Sequence, residues 1–539
     1  MESLNDRRSQ VQAALCMGFV FLCFGIPIWW KTTEVYRADI PYSEISDLVT
    51  NSKISTKIIV TIASISEQLN EDIKNNFVGS LDLEFVQINY EFDTVVLTQK
   101  DILNIKHQNN AIEISSIYKN DITLVFEISS DVENAKVTFQ GNRILLIEYK
   151  SLEIRSNSKG LMKIINENIV NAEALNDAVG KAYGANMQFS KDREFHMRKT
   201  VQPDKGYDIV FSLLCPEPDK LQATWNMEEA VDMYLKPMIK KLGNFAEFHI
   251  GSQILYYSGL SVKPKSKTLD NIKQFYLTHE QLSHVVNPIE SRLGAQISPN
   301  PTLNFVVYMS EDNYNPLYIQ HADESYSTTN TFLVPRWGSI MIKNAPKSND
   351  TIFPHVVELD SVEIMQVFVA QLRSLLGLEM TKTPNDDFEI TVADRGIAGI
   401  SDLELSYLVR KRTFENIATS VHAIHTLSEL LGKIHNIVIN DEIAGHIYTA
   451  VDAIKKAKAS LDESDDQRAL NISNIAFKAS ETAFFDPTLL ELLYFPEDQK
   501  FAIYIPLFLP ISLPLLGSFI AAIKWLRMKK GDEEKQKTE

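Results

Sequence analysis

Two uncharged apolar runs, one near each end, constrain what this chain can fold into more than anything between them. Val11 to Trp30 covers 20 residues, with Gln12 as its only strongly polar side chain. At 1.5 Å per residue it reaches about 30 Å, the thickness of a bilayer hydrocarbon core. A secretory signal would be shorter and would end in small residues at a cleavage site. This run ends in Ile28, Trp29 and Trp30, so it predicts an anchor that is kept, with Trp29 and Trp30 at the membrane interface. A buried helix of a soluble domain is the alternative. Phe501 to Ile523 gives a second run of 23 residues without a charge. Pro506, Pro510 and Pro514 predict a kinked membrane helix that packs on others.

Basic flanks orient the two spans. Arg7 and Arg8 precede the first; Lys524, Arg527, Lys529 and Lys530 follow the second. Lys31, Arg37 and Lys500 lie on the inner sides. Both termini are therefore expected in the cytosol and the large domain in a lumen. The expected order is a cytosolic N-terminus (1–10), transmembrane helix (11–30), lumenal α/β region (31–400), lumenal helical bundle (401–485), return segment (486–500), transmembrane helix (501–523) and cytosolic tail (524–539). The tail ends "KQKTE", which places Lys535 and Lys537 in a K-x-K-x-x pattern that coat proteins read for return to the endoplasmic reticulum.

Between the spans the composition is that of a folded globular region, 45% hydrophobic and 23% charged over the whole chain. A net charge of −17 argues against a nucleic-acid partner, because no basic patch is available for phosphates. Of three cysteines, Cys16 and Cys23 lie in the first apolar run, so Cys215 cannot form a disulfide within the large domain. It reads as a packed thiol at a strand end, or as one available to another chain. Asn349 and Asn471 head N-x-S/T sequons and are candidate N-glycosylation sites; Asn300 is disqualified by Pro301.

β-branched and aromatic runs predict strands at 57–65, 81–92, 122–129, 136–149, 207–214, 246–259, 303–310 and 338–344. Gly141-Asn142 suits a hairpin. Helices are expected over 159–183 and 228–242, and another opens at Asp360 with Glu363 and ends at Gly377. Ser401 and Glu404 form a second capping box. Apolar spacing of three to four residues then predicts three helices: one from Ile417 to Ile434, one from Ile443 to Ile454, and one over 465–484. The fold class is thus an α/β lumenal region of mixed sheets with covering helices, plus a C-proximal helical bundle, flanked by two transmembrane helices.

The sequence holds no G-x-S-x-G, H-E-x-x-H, G-x-x-x-x-G-K-[ST] or G-x-G-x-x-G motif. Cys215 with a distant base such as His249 is the one nucleophile pair to consider. His422 and His425 lie three apart on a helix and suit a boundary position better than a metal site. His321 to Glu324 reads as a polar loop. No catalytic residue, cofactor or metal ligand is assigned.

Long ordered strings carry a family resemblance: "PIWWKTTEVYRADIPYSEI", "SQILYYSGL", "VVNPIESRLG", "VPRWGSIM", "QVFVAQLRSLLGL", "LLGKIHNIVINDE" and "AFFDPTLLELLYFPEDQKFAIYIPLFLP". With these the chain resembles the S-subunit family of the GPI transamidase complex (phosphatidylinositol glycan class S), over almost its full length and least over 65–205. The resemblance implies a non-catalytic subunit in the endoplasmic reticulum membrane, needed to attach preassembled GPI anchors to precursor proteins. It implies as partners the other transamidase subunits, including a cysteine-protease-like subunit that holds the catalytic Cys-His pair, together with membrane lipid, and the GPI lipid or the proprotein as candidate ligands. The alternative is an independent membrane-tethered hydrolase or a lumenal cargo receptor. Residues 32–45 are expected to form a specified connector that packs on the returning "YFPEDQK" segment.

Overall fold

The computed structural model describes residues 4–33, 36–106, 121–129, 132, 134–150, 158–185, 198–201, 206–243, 245–269, 272–293, 300–346, 353–378, 388–392, 399–434 and 437–491, and, beyond these, 502, 505–506, 509–510, 512–517, 519–525 and 527. The chain divides into two compact units. One comprises Ser52–Thr419 and Ile454–Asn474; the other comprises Met1–Asn51, Ser420–Ala453 and Ile475–Glu539.

The larger unit opens with β1 (Ile54–Ser64), β2 (Ser80–Asp82), β3 (Val86–Val96), β4 (Ile122–Ile128), β5 (Ala135–Phe139) and β6 (Ile144–Tyr149). Their order across the sheet is β2-β3-β1-β4-β6-β5, with β3, β1, β4 and β6 mutually parallel. The stretch expected as one strand at 81–92 is a hairpin. The Leu83 N–H donates to the Val86 carbonyl at 2.9 Å, and β2 turns back antiparallel on β3. The expected 159–183 helix is two helices, Ser158–Ile164 continuing through a π turn to Ile169, and Ala172–Ala182. Asn171 separates them at φ +49°, a left-handed conformation that asparagine tolerates better than most residues. The β5–β6 hairpin forms as expected across 140–143.

A second sheet repeats this plan. The next strands are β7 (Gly206–Cys215), β8 (Leu221–Trp225), β9 (Glu247–Tyr256), β10 (Lys265–Leu269), β11 (Ile272–Leu277), β12 (Thr302–Met309), β13 (Leu317–Ile319), β14 (Thr331–Val334), β15 (Gly338–Lys343) and β16 (His355–Leu359). The order β9-β7-β12-β15-β14 has four parallel strands followed by an antiparallel one, as in β3-β1-β4-β6-β5. In each sheet the antiparallel strand immediately precedes the fourth parallel strand and forms a hairpin with it. Two lobes therefore share one topology. β10, β11 and β13 form a small separate sheet, β8 pairs with β16, and β17 (Phe388–Val392) returns to the first sheet beside β5.

Helices cover both faces of the second sheet. Phe211 stacks on Phe368 of the Ser361–Leu375 helix and Phe305 tilts against it, with centroids 6.0 and 5.2 Å away. Val306, Tyr308, Ile340 and Ile342 alternate with these and pack instead on Leu282, Val285 and Ile289 of the His279–Leu293 helix. Burial on both faces explains why β7 and β12 read as near-continuous apolar runs. Gly338 opens β15 at φ +142°; a Cβ there would lie 1.8 Å from the Asn304 carbonyl oxygen, so the approach of β15 to β12 requires glycine.

The three expected C-proximal helices are Asp402–Lys433, Asp441–Asp462 and Asp466–Phe484. Within the larger unit, the Arg410 guanidinium holds Asp466 at 2.6 Å, and the Asn416 amide donates to Ser473 Oγ at 3.2 Å. Ser464 Oγ donates to the Lys57 carbonyl and to Asp121, which also accepts from the Ile59 amide at the start of the first sheet.

In the other unit, the expected first span runs as Leu4–Val20, a π turn Phe21–Gly25, and Ile26–Thr33, which includes Trp29 and Trp30. Residues 512–517 and 519–525 are also helical. Among the described residues no helix is long and apolar enough to cross a membrane. The apolar side chains of both segments are nonetheless exposed, Met17, Phe19, Leu22 and Phe24 on one and Leu513, Leu516 and Ile520 on the other. Gly18 faces Leu515, with 3.8 Å from a Cβ position to Cδ2. The connector after the first segment is pinned. Ala38 donates to the Ile439 carbonyl at 2.8 Å, Tyr36 Oη donates to Asp441 at 2.8 Å, and the Arg37 guanidinium donates to the Leu431 and Ile434 carbonyls. Its contacts are thus Leu431, Ile434, Ile439 and Asp441; the expected partner "YFPEDQK" lies outside the described residues.

Candidate functional site

In a parallel sheet, the chain leaves adjacent strands in opposite directions at the point where strand order reverses, and a crevice opens beyond their carboxyl ends. In the second lobe that point lies between β7 and β12. A cleft of about 360 Å³ is found there. Pro216, Glu217 and Lys220 follow β7; Ser310, Asp312 and Asn315 follow β12; Ala345 and Pro346 follow β15; Phe353 and His355 close the far side.

Local hydrogen bonds fix these groups. Lys220 Nζ donates to Glu217 at 2.8 Å, and the Asp312 amide donates to the other Glu217 oxygen at 2.9 Å. Burial raises the Glu217 carboxyl, but the Lys220 and Asp312 hydrogen bonds and the Lys220 charge outweigh it and hold the carboxyl below its ordinary range. The Glu217 carboxylate in turn raises Lys220. Asn315 Nδ2 donates to the Ala345 carbonyl at 2.8 Å and the His355 amide to the Lys220 carbonyl at 2.8 Å. The Phe353 ring packs edge-on to His355 at 4.8 Å.

The rim continues past β9. Tyr257 Oη donates to Asp219 at 3.1 Å, from a residue held at φ +55°. Tyr308 Oη donates to Glu311 at 3.1 Å. The Tyr308 phenol is pushed up by burial first and by Glu311 second, so it stays protonated. Sequence reading missed this constellation, since its members lie on loops and strand ends far apart in sequence that only the strand order brings together. The positional rule for parallel sheets was the available signal, once strand order was known.

The residues proposed from sequence are not brought together. Cys215 is buried at the end of β7, where it pairs with Tyr256, whereas His249 pairs with Asp208 at the other end of the same ladder. Seven rungs at ~3.3 Å put about 23 Å between them. Burial raises the Cys215 thiol. His425 lies 3.7 Å from Glu429 one turn on, and His422 is exposed. His321 to Glu324 form an exposed turn closed by the Ser325 carbonyl. Among the described residues no three His, Cys, Asp or Glu side chains cluster as metal ligands. Asn471 is exposed on the Asp466–Phe484 helix, while Ser473 of its sequon is buried and donates to the Leu470 carbonyl. Asn349, Lys535 and Lys537 lie outside the described residues.

Comparison with known proteins agrees with the strings quoted above. The family described as "Phosphatidylinositol-glycan biosynthesis class S protein" matches residues 16–529. The Homo sapiens protein named "GPI-anchor transamidase component PIGS" is 35% identical over 548 residues, covering 98% of this chain and 97% of its own length. The Rattus norvegicus protein of the same name is 36% identical, covering 94% of each. The Schizosaccharomyces pombe "GPI transamidase component PIG-S homolog" is 26% identical over 96% of this chain and 85% of its own.

Proposed function

Because this chain belongs to the phosphatidylinositol-glycan biosynthesis class S family, we propose that it works as a component of a GPI transamidase. The observation that carries this reading is a match along nearly the whole chain, loops and connector included, rather than over one domain. The role is that of an accessory subunit in the attachment of GPI anchors to proteins, with the catalytic Cys-His pair on another subunit. Cys215 supports it: a buried thiol with a raised pKa, far from His249, is a poor nucleophile. The alternative of an independent hydrolase or cargo receptor is not favoured by any group in the cleft.

The protein sits in the endoplasmic reticulum membrane by its two apolar segments, residues 11–30 and 501–523, with the large domain lumenal and Lys535 and Lys537 cytosolic. The exposed apolar side chains on both segments support this, since water would not tolerate a patch of that length. Trp29 and Trp30 meet the headgroups. Asn349 and Asn471 are acceptors for glycans; Asn471 must be modified before its helix buries Ser473. Purifying the tagged full chain from membranes tests the assignment. Transamidase components should accompany it, alkaline carbonate should leave it in the membrane, and Cys215→Ser should leave anchor attachment intact. Loss of attachment with assembly preserved would overturn the accessory role.

A further inference from the structure

The rim at the carboxyl end of the second sheet combines three properties. It is concave at the cleft. It exposes aromatic rings, with Tyr257 69% and Phe353 59% accessible. It is also acidic: among the described residues Glu217, Asp219, Glu311 and Asp312 stand around Lys220, while Arg292 on the flank is engaged by the Gly259 carbonyl and Ser261 Oγ. Contacts tie these groups together: Tyr257 holds Asp219; Asp312 and Lys220 hold Glu217, two residues before Asp219; and Lys220 is joined through His355 to Phe353. Tyr257 and Ser261 flank it in left-handed conformations, at φ +55° and +61°. Non-glycine residues persist there only when their surroundings enforce the conformation.

We propose that this rim docks an extended segment of another polypeptide that presents a lysine or arginine side chain. The proposal rests on membership of a multi-subunit assembly, and it goes beyond that by naming a surface and the chemistry of its occupant. The cationic head enters the cleft beside Asp312 and Glu217, and the aliphatic stem lies along Phe353. Charge chooses this occupant. Among the described residues an anion such as a phosphate would meet four carboxylates against Lys220, itself held by Glu217, and Arg292 on the flank. A wholly apolar segment would cover Asp312 without pairing it, which is costly. A basic side chain satisfies the carboxylates, and exposed aromatic rings add cation–π contact.

Carboxyl footprinting of the intact assembly tests this. Glycine ethyl ester with a water-soluble carbodiimide labels accessible carboxylates. Asp219 and Asp312 should be labelled at least about fivefold less in the assembly than in the isolated full chain, and any lysine partner should appear as a crosslink to them. Equal labelling in both would overturn the proposal. A second arm uses Asp219→Lys with Asp312→Lys, both on exposed loops, checked by an unchanged melting temperature. Like charges across the contact should reduce recovery of another component by about tenfold, and the Asn versions should fall between. Full recovery with the Lys variants overturns the docking site and leaves family membership standing. If the unaltered chain recovers no transamidase component, both readings fall.

Discussion

Arg410 is 3% exposed and spends its guanidinium on Asp466, across two helices of the larger unit. Burial pushes the Asp466 carboxyl up against the pull of Arg410. Asp466→Ala strands that buried cation, so unfolding free energy should fall by about 3–5 kcal/mol, read as a lower denaturation midpoint. Glu217 makes a pH-dependent contribution. Its folded carboxyl lies below the usual range, so its stabilisation is present above an unfolded pKa of about 4.3 and disappears as pH falls through the lower folded value. Glu217→Gln should therefore narrow the drop in melting temperature on acidification. Residue roles of this kind were partly legible. Ser401 and Glu404 form the capping box read from spacing, with the Ser401 amide donating to Glu404 at 2.8 Å. Arg373, 31 residues away in sequence, takes the same carboxylate at 2.6 Å, and no local pattern announces that. Asp360 caps its helix, but Glu363 turns away from it to Lys343 at 2.7 Å.

At the scale of elements, long periodic segments declared themselves and short ones did not. The 32-residue Asp402–Lys433 helix and the buried strands β7 and β12 followed their apolar patterns. β8, β13 and β16, of three to five residues, are too short for a period to show. They nevertheless frame the cleft side of the second lobe. The connector is an element whose tertiary partner only the structure could supply. Arg37 ends in two backbone carbonyls at the close of a helix, where cations are favoured. Arg37→Ala should cost about 1.5–3 kcal/mol of local stability, and protease cleavage between 431 and 441 should accelerate. Cleavage at the unaltered rate would show that the clamp contributes little.

For the whole molecule, the repeat of one strand order in two lobes escaped sequence reading because topology is set by which strands pair, and many apolar sequences satisfy the same pairing. In both lobes the central parallel strands are hydrogen-bonded on both sides. Amides of β1, β4, β7 and β12 should exchange slowest with deuterium and those of the edge strand β9 sooner, since β9 is half exposed along its length. The pinned connector has a dimensional consequence. The first apolar helix ends at Thr33, and Arg37 is already fastened to the 431–434 carbonyls. Four residues reach at most about 14 Å. With the first segment in a bilayer, that span sets a stand-off: the close of the Asp402–Lys433 helix is held within one short step of the headgroups, and anything docked on that end works at a fixed height above the lipid.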